Sequence, residues 1–464
     1  MEGIVKIQEI EINNFKNVKH GTASFQSYNY IKKKEKYNSA DILGIYGQNG
    51  SGKTSLVEAI DILITLLVGN ELDENLINLF RYGSNITSFK YTFSIEINNK
   101  LYLVKYSFKL RYDENKKIEV SSEALKYLEV NPNKRLSNST IICYNLDEKN
   151  NMVFSPQRIY SQIAKDEKMR TDILVAKELS KINRSSFVFN KKIIEAFKIT
   201  YTTESIYYKI INSLYSFALY DLFVIKNDYL GFINLNHLMP FSFMIRDSER
   251  LAGGKFNIKL FEPSTLSKQL YDILKNVTNQ INIVLESIVP GLNLGIKTLK
   301  EELQENGETG VNVELLSIRG EVKIPLKYES EGIKKIISIL SALVAMYNNK
   351  KVCVVIDELD AGVFEFLLGE LLTVLKENSK GQLIFTSHNL RALEVLDKND
   401  ILFTTTNEEN RYIRLKNVKK TNNLWDLYLR CILLGGQDEE IYKKTKKYSI
   451  NRAFRKAGDR NEYR

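Results

Sequence analysis

The chain has 464 residues, of which 44% are hydrophobic, so it is long enough to form more than one core. Its 66 basic and 56 acidic residues give a net charge of +10, which favours acidic partners such as nucleic acid, nucleotide or an acidic protein. Three separated cysteines without C-x-x-C spacing argue against a disulfide framework and against a zinc site. The longest apolar stretch, residues 60–68, is too short to cross a bilayer, so we expect a cytoplasmic protein without a membrane part.

The first hundred residues predict strands interrupted by one helix. Residues 5–15 alternate apolar and charged side chains with one break, which predicts a strand with a bulge. Residues 42–46 predict a short apolar strand, and residues 55–67 repeat apolar side chains at helical spacing. Residues 89–110 return to a period of two, with an Asn-Asn turn, which predicts an antiparallel hairpin.

The middle of the chain is predicted to be an insertion. Residues 160–223 have a long helical pattern, and a second helix is expected over residues 265–288, before a Pro-Gly pair. We therefore expect a mainly helical insertion over residues 158–294. Two strands should follow, at residues 311–315 and 322–326.

The last part of the chain predicts a parallel sheet. Residues 331–347 have the apolar face of an amphipathic helix. Residues 352–356 form an unbroken apolar run, which is typical of a strand buried on both faces in a parallel sheet. Residues 383–386 and 401–403 predict two more strands, and residues 421–464 form a basic tail.

A glycine-rich loop joins the strand at residues 42–46 to the helix after it, and it matches G-x-x-x-x-G-K-[ST] at every fixed position. Glycines let backbone amides turn towards phosphates, the lysine neutralises the outer phosphates, and the threonine hydroxyl can reach Mg²⁺. A glycine-rich turn without a ligand is the alternative, and the flanking strand and helix disfavour it. The residues expected to bind ATP here are Gly47, Gln48, Asn49, Gly50, Ser51, Gly52, Lys53, Thr54 and Ser55.

An acidic pair, Asp357 and Glu358, ends the apolar strand at residues 352–356. If this strand neighbours the strand of the glycine-rich loop, Asp357 would hold the Mg²⁺ shell together with Thr54, and Glu358 could polarise the attacking water. The alternative is that the pair caps the N-terminus of a helix.

Two further motifs flank the acidic pair. His388 follows a short strand, where it could contact a γ-phosphate or could be a surface or helix-capping histidine. Ser330, Glu331 and Gly332 open the preceding helix. Ser330 is a natural N-cap, and a helix start of this kind can present its amides to a nucleotide held by another subunit.

The order of these motifs resembles the ABC-type ATPase head of the RecF, SMC and OLD group. The resemblance covers residues 1–157 and 295–420 and implies an α/β P-loop fold with a mixed central sheet flanked by helices. It also implies that Ser330, Glu331 and Gly332 form the signature motif and that His388 is the switch histidine. The acidic pair would belong to the Walker B motif, and Asp360 to the loop after it. Gln157 would serve the glutamine loop, with Gln162 as the alternative.

Departures from the group narrow the expected function. The signature reads Ser-Glu-Gly-Ile, unlike that of transporters, and the insertion lacks the heptads and the Cys-x-x-Cys hook of long-armed SMC or Rad50-like proteins. Little sequence follows His388, so a Toprim nuclease domain is not expected in this chain. Residues 357–370 and 452–458 resemble the AriA family, the stand-alone ATPase subunits of PARIS anti-phage systems.

This resemblance implies a homo-oligomer whose heads close around ATP, with a separate AriB-like nuclease effector and a phage protein as trigger. The runner-up is a RecF-like repair ATPase in which a basic loop (Lys32, Lys33, Lys34 and Lys36) and the tail bind DNA phosphates. A third alternative is a scaffold that binds ATP and barely hydrolyses it. Solvated loops without a nucleic-acid ligand would also account for the basic segments.

Overall fold

A computed structural model describes residues 3–35, 40–131, 138–147, 152–227, 233, 235, 237–246, 251–303, 309–416 and 423–458. The strands are β1 (Ile4–Phe15), β2 (Val18–Ser24), β3 (Asp41–Tyr46), β4 (Ile86–Ile97), β5 (Lys100–Tyr112), β6 (Ile118–Glu129), β7 (Ser139–Asn145), β8 (Phe154–Ser155), β9 (Leu222–Ile225), β10 (Leu238–Arg246), β11 (Leu251–Lys259), β12 (Ser264–Ser267), β13 (Asn293–Leu303), β14 (Thr309–Arg319), β15 (Val322–Pro325), β16 (Cys353–Ile356), β17 (Gln382–Ser387), β18 (Ile401–Thr404) and β19 (Tyr412–Ile413). The helices are α1 (Gln26–Lys33), α2 (Lys53–Leu67), α3 (Gln157–Ile163), α4 (Glu167–Ile182), α5 (Lys191–Tyr201), α6 (Ile206–Ser216), α7 (Lys268–Ile288), α8 (Glu331–Asn348), α9 (Glu365–Asn378), α10 (Ala392–Val395), α11 (Leu424–Leu434) and α12 (Lys447–Gly458).

The functional edge of the molecule belongs to a six-stranded sheet with the order β19-β18-β3-β17-β16-β9. The five strands from β18 to β9 are parallel, and β19 pairs antiparallel with β18 at one edge. All four residues of β16 are buried, as the unbroken apolar run predicts. The sequence left open whether β3 and β16 are neighbours, and the structure shows that β17 lies between them.

A seven-stranded antiparallel sheet, with the order β2-β1-β4-β5-β6-β7-β8, covers the other side of α2. The predicted bulge in β1 is confirmed by a register shift between Ile7 and Glu9 in the pairing with β4. The predicted hairpin is confirmed as β4 and β5, and its turn residues Asn98 and Asn99 both have positive φ, at 49° and 61°.

The prediction of a mainly helical insertion over residues 158–294 did not include the strands that the structure shows there. Helices α3 to α6 and α7 are present, but residues 222–225 form β9, the edge strand of the six-stranded sheet. The same region contributes the hairpin β10–β11 and strand β12. Sequence periodicity missed β9 because a four-residue apolar run after a helix looks like one more buried helical turn.

Two apolar cores enclose the six-stranded sheet. Alternate residues of its strands point to opposite faces, so that Leu43 and Val355 join the core towards α2, whereas Ile42 and Val354 join the core towards α8 and α9. The strands predicted at residues 311–315 and 322–326 are confirmed as β14 and β15, which pair with each other in a small antiparallel sheet.

The described lysines of the basic loop are exposed. Lys32 and Lys33 form the last turn of α1, Lys34 is its C-terminal cap, and Lys36 lies outside the described residues.

Within the described part of the chain, none of the helices combines the length and the apolar character that a membrane crossing requires.

Candidate functional site

The glycine-rich loop lies between β3 and α2, as predicted. An added Cβ at Gly47 would overlap the hydroxyl of Thr404, so no larger residue fits there. Gly50 has φ +72° and Gly52 has φ +98°, conformations that other residues rarely adopt. The glycines of the motif are therefore required by the backbone path, which turns the loop around the N-terminus of α2.

Lys53 points back into this loop. Its Nζ donates to the carbonyl oxygens of Gly47 at 2.9 Å and Gln48 at 3.1 Å. Burial lowers the pKa of the Lys53 ammonium, and the carboxylates of the acidic strand end act in the opposite direction. The ammonium is thus held where an anion seated in the loop would replace carbonyl oxygens as its partner.

Residues distant in sequence brace the loop. The side chain of Asn17, in the turn between β1 and β2, donates to the carbonyl of Gly50 and accepts from the Ser55 hydroxyl at 3.3 Å. The Tyr412 hydroxyl donates to the carbonyl of Gly52 at 2.7 Å. The sequence analysis missed Asn17 and Tyr412, because no local motif surrounds either residue.

The acidic pair lies at the carboxyl end of β16, two strands from β3. Thr386 of β17 joins the two residues: its hydroxyl donates to Oδ1 of Asp357 at 2.6 Å and accepts from the backbone amide of Glu358 at 2.7 Å. Asp357 is buried, with 2% of its surface exposed. Glu358 has φ +50°, a left-handed conformation that costs a non-glycine residue roughly 1–3 kcal/mol and often marks a functional site.

Asn227, two residues after β9, contacts the acidic pair from the other side. Its Nδ2 donates to Oε2 of Glu358 at 2.8 Å. Because β9 runs parallel to β16 and ends at the same edge of the sheet, its carboxyl end delivers Asn227 to the site. The sequence analysis missed Asn227 because it missed β9.

Gln157, the residue expected in the glutamine loop, is not the residue that contacts Glu358 from this side. It is the first residue of α3, directly after β8, the last strand of the seven-stranded sheet, and its side chain is exposed. The alternative, Gln162, accepts a hydrogen bond from the Tyr201 hydroxyl in the same helical region. Among the described residues, no hydrogen bond joins either glutamine to the glycine-rich loop, and the glutamine-loop role of Gln157 stays a prediction.

His388 follows β17, the strand between β3 and β16. The backbone amides of His388 and Asn389 donate to Oδ2 of Asp360 at 3.1 Å and 2.9 Å. Partial burial and the nearby charge of Lys53 lower the pKa of the His388 imidazole, against the opposing effect of the three carboxylates. The exposed side chain of His388 lies at the edge of the sheet near Lys53 and Glu358.

Ser330 caps α8, and its hydroxyl accepts from the amide of Ile333 at 3.3 Å. An added Cβ at Gly332 would overlap the carbonyl of Gly362, so this glycine allows α8 to approach the loop after the acidic pair. Among the described residues, no hydrogen bond joins Ser330 or Gly332 to residues 47–55. Ser330 and Glu331 are exposed, and Gly332 is partly exposed.

Lys335, one turn into α8, ties the signature helix to the acidic pair. Its Nζ donates to the backbone carbonyl of Glu358, and 3% of the residue is exposed. Burial lowers the pKa of this ammonium to about 8, although Asp360, Glu358 and Asp357 act to raise it. Its position on an otherwise apolar helical face, immediately after Lys334, was the available sequence signal, and the sequence analysis did not use it.

The residues at this edge suit a magnesium nucleotide. Thr54 at the start of α2 and Asp357 at the end of β16 supply hydroxyl and carboxylate oxygens, the hard ligands that Mg²⁺ prefers when phosphates complete its shell. Asp357 Oδ1 already accepts from Thr386, which orients the carboxylate. When bound, the ion would neutralise phosphate charge between these two residues.

Comparisons with known proteins agree with this site. The family described as AAA ATPase domain matches residues 5–393, and the chain belongs to that family. It is an α/β ATPase of a class that binds nucleotide, typically with Mg²⁺. No curated protein matches the chain significantly.

Solved structures similar to this chain include two SMC heads. The Smc head domain bound to the C-terminal domain of ScpA, derived from Pyrococcus furiosus, has 12% identity and a TM-score of 0.41, covering 89% of this chain and 96% of that one. The SMC head domain from Thermotoga maritima has 13% identity and a TM-score of 0.37, covering 89% and 99%. The recombination mediator RecF has 14% identity and a TM-score of 0.36, also covering 89% and 99%.

Proposed function

We propose that the protein hydrolyses ATP slowly between two copies of its head. Lys53 and Thr54 of one copy hold the nucleotide, Asp357 completes the Mg²⁺ shell, and Glu358 polarises the attacking water while His388 contacts the γ-phosphate. Ser330 and Gly332 of the second copy close the site. The observation that supports this arrangement is that Lys53, Glu358 and His388 lie at one sheet edge, whereas no hydrogen bond among the described residues joins Ser330 or Gly332 to the loop of their own chain.

We further propose that this ATPase is the sensor and scaffold subunit of a bacterial anti-phage complex. The support is the resemblance of residues 357–370 and 452–458 to the AriA family. In this role the nucleotide state sets the shape of the assembly, which holds a separate Toprim-type nuclease until a phage protein is sensed. Slow hydrolysis suits a switch whose ATP-bound form must persist.

The ATP mechanism is tested with the purified full chain. Lys53→Ala should abolish ATP binding, and Glu358→Gln should bind ATP, form dimers and not turn over. Sedimentation velocity with and without Mg-ATP measures the dimer, and phosphate release measures hydrolysis. Normal hydrolysis by both variants would refute the mechanism.

The anti-phage role is tested separately. A Toprim nuclease encoded by the neighbouring reading frame should co-purify with the Glu358→Gln protein, and cells that carry both genes should lose phage protection when Lys53 is replaced by alanine. Protection that persists in the Lys53→Ala cells would contradict this role while leaving the ATPase mechanism untouched.

A RecF-like repair ATPase is the second candidate, supported by the exposed basic helix α12, which contains four basic residues and no acidic one. In that case duplex DNA should stimulate hydrolysis, and DNA affinity should fall steeply with salt, because phosphate contacts release counterions. A nucleotide cycle that is unaffected by DNA would favour the sensor role.

A further inference from the structure

The chain between α11 and α12 passes directly over the nucleotide loop. This strap, residues 437–443, runs along the connection between β18 and β19: the amide of Thr406 donates to the carbonyl of Glu440 at 2.7 Å. Ile441 is buried, with 3% of its surface exposed. The amide of Lys443 donates to Oε1 of Gln48 in the glycine-rich loop at 3.1 Å. The strap thus leaves the head beside the phosphates of a bound nucleotide.

Helix α12 begins four residues after this contact and buries none of its residues. Ile450 and Phe454 are 45% and 77% exposed and lie one turn apart, on the same side as Ala453 and Ala457. A solitary helix of this length is only marginally stable in water, since its stability normally comes from packing an apolar face. The apolar stripe of α12 therefore needs a surface that its own head does not supply.

An apolar groove with an acidic rim starts at the signature residues. It has a volume of about 420 Å³ and lies between the end of α7, the start of α8 and the start of α9. Phe364 and Phe366 line the groove, with ring centroids 5.8 Å apart, and their side chains are 70% and 60% exposed. Glu370 lines the groove, and Glu331 and Glu365, which are also exposed, are adjacent in sequence to lining residues.

A cation, Arg391, lies beside the groove and is already paired. The guanidinium of Arg391 lies 5.0 Å from the ring centroid of Phe366 and forms an ion pair with Glu394. The rim therefore stays acidic, which complements the charge of α12, whose Lys447 and Lys456 lie on either side of its apolar stripe.

The proposed head dimer places these two surfaces together. In it, Ser330 and Gly332 of one copy face the nucleotide held by residues 47–54 of the other, and both line the start of the groove. The strap carries α12 away from the same residues, with a reach of about 14 Å before a helix about 18 Å long. The helix and the groove of opposite copies are then neighbours.

We infer that α12 docks in trans into the signature groove of a second copy, with Ile450 and Phe454 packed on Phe364 and Phe366. This inference rests on the proposed ATP-bound dimer. A second copy fits better than a nucleic acid, because the apolar stripe requires an apolar surface and the rim is acidic. The docked helix would add affinity to the dimer and link the strap at Gln48 to the neighbouring signature motif.

Cross-linking tests the trans contact in the full-length protein. Two differently tagged Glu358→Gln chains are mixed, one with Ala457→Cys and the other with Glu370→Cys, and treated with a bis-maleimide. A cross-link between the two tags is expected with Mg-ATP and not without it. Each cysteine chain alone controls for the native thiols, of which Cys353 and Cys431 are buried.

A matched pair of substitutions tests the apolar contact. Phe454→Asp should weaken ATP-dependent dimerisation about a hundredfold, because each of the two docked helices loses one buried aromatic side chain worth about tenfold. Tyr448→Asp is the control, because Tyr448 is equally exposed at 77% and lies on the other side of the helix.

The outcomes separate the two proposals. If the Glu358→Gln chain stays monomeric with Mg-ATP, the head dimer itself is refuted. If it dimerises without a cross-link between tags, and Phe454→Asp behaves like Tyr448→Asp, only the docking of α12 is refuted. Loss of binding to phosphatidylglycerol vesicles by Phe454→Asp, with dimerisation unchanged, also refutes it.

Discussion

Each of the two large sheets contains a glutamate with hydrogen-bonded carboxylate oxygens, and the two glutamates differ in burial and in the number of their hydrogen-bond donors. In the seven-stranded sheet, Glu123 of β6 is fully enclosed and accepts from the hydroxyls of Tyr106 and Ser186 at 2.5 and 2.6 Å and from the amide of Phe187 at 2.6 Å. In the six-stranded sheet, Glu358 lies at a strand end, half-buried and with its backbone in the left-handed region.

The difference shows what separates a structural carboxylate from a reactive one. Burial raises the pKa of Glu123, although its donors counteract that effect, and the hydrogen bonds fasten residues 186–188 to the sheet. Glu358 receives the Asn227 amide on Oε2 and faces the edge where the nucleotide loop lies. An acceptor whose positions are all filled stabilises the fold, whereas one at an open strand end can bind a water molecule.

The largest expected effect concerns Glu358. Glu358→Gln should slow ATP hydrolysis by about 10²–10⁴-fold, because an amide cannot act as a general base. The free energy of unfolding should stay within about 0.5 kcal/mol of wild type, as expected for a change outside the packed core. Phosphate release measures hydrolysis, and urea denaturation measures the free energy of unfolding. A variant that lost stability but kept its turnover would contradict the reactive role of Glu358.

Glu123→Ala should have the opposite profile. It should lower the free energy of unfolding by on the order of 3 kcal/mol, because several buried donors lose their acceptor. Hydrolysis per folded molecule should not change. Glu129→Ala, at the end of the same strand with an exposed ion pair to Lys100, is the matched control and should cost less than about 1 kcal/mol. Equal costs for the two variants would contradict the structural role of Glu123.

Lys335, which binds the backbone carbonyl of Glu358, should make the free energy of unfolding depend on pH. Its pKa is about 8 in the folded protein and about 10.4 in an unfolded chain, so between these values the unfolded state binds more protons and stability rises with pH. Relative to Lys335→Met, the wild type should therefore gain on the order of 2 kcal/mol between pH 8 and pH 10.

Urea denaturation at the two pH values measures this gain, and Lys350→Met, at an exposed position, controls for the loss of a charge. The penalty for burying the charged ammonium is fully present below pH 8. A constant difference between wild type and Lys335→Met across the window would show that Lys335 is not buried in its charged form.

Of the four residues with a prediction here, Asn227 should have the smallest effect when it is substituted. Asn227→Ala removes the hydrogen bond to Glu358 and should slow hydrolysis about tenfold, the worth of roughly one hydrogen bond to a charged group. ATP binding should not change, since Asn227 contacts the acidic pair and not the glycine-rich loop. An unchanged rate would mean that Glu358 is oriented without it.

Local patterns predicted the elements around the site well. The bulged β1, the β4–β5 hairpin, α8 and the parallel strands β16, β17 and β18 lie where the sequence predicts them. Each depends on periodicity within one segment or on turn residues such as Asn98 and Asn99, whose side chains tolerate positive φ.

Predictions that required the order of the strands failed or stayed open. Gln157 was expected in a glutamine loop because of the family resemblance, and its place after β8 of the seven-stranded sheet leaves that role a prediction. The strand end beside β16 comes from β9, in a region predicted to be helical, so the contact of Asn227 with Glu358 could not be foreseen. Periodicity does not report which strands pair over a separation of more than a hundred residues.

The sequence by itself determined the glycine-rich loop, the acidic pair and the capped signature helix, because each is a contiguous motif whose backbone needs glycines, a strand end or an N-cap at a set position. Only the tertiary structure decided that β17 separates β3 from β16, that Lys335 binds the carbonyl of Glu358, and that the strap crosses the loop at Gln48. Those contacts arise from the packing of distant segments around two cores, which no local pattern encodes.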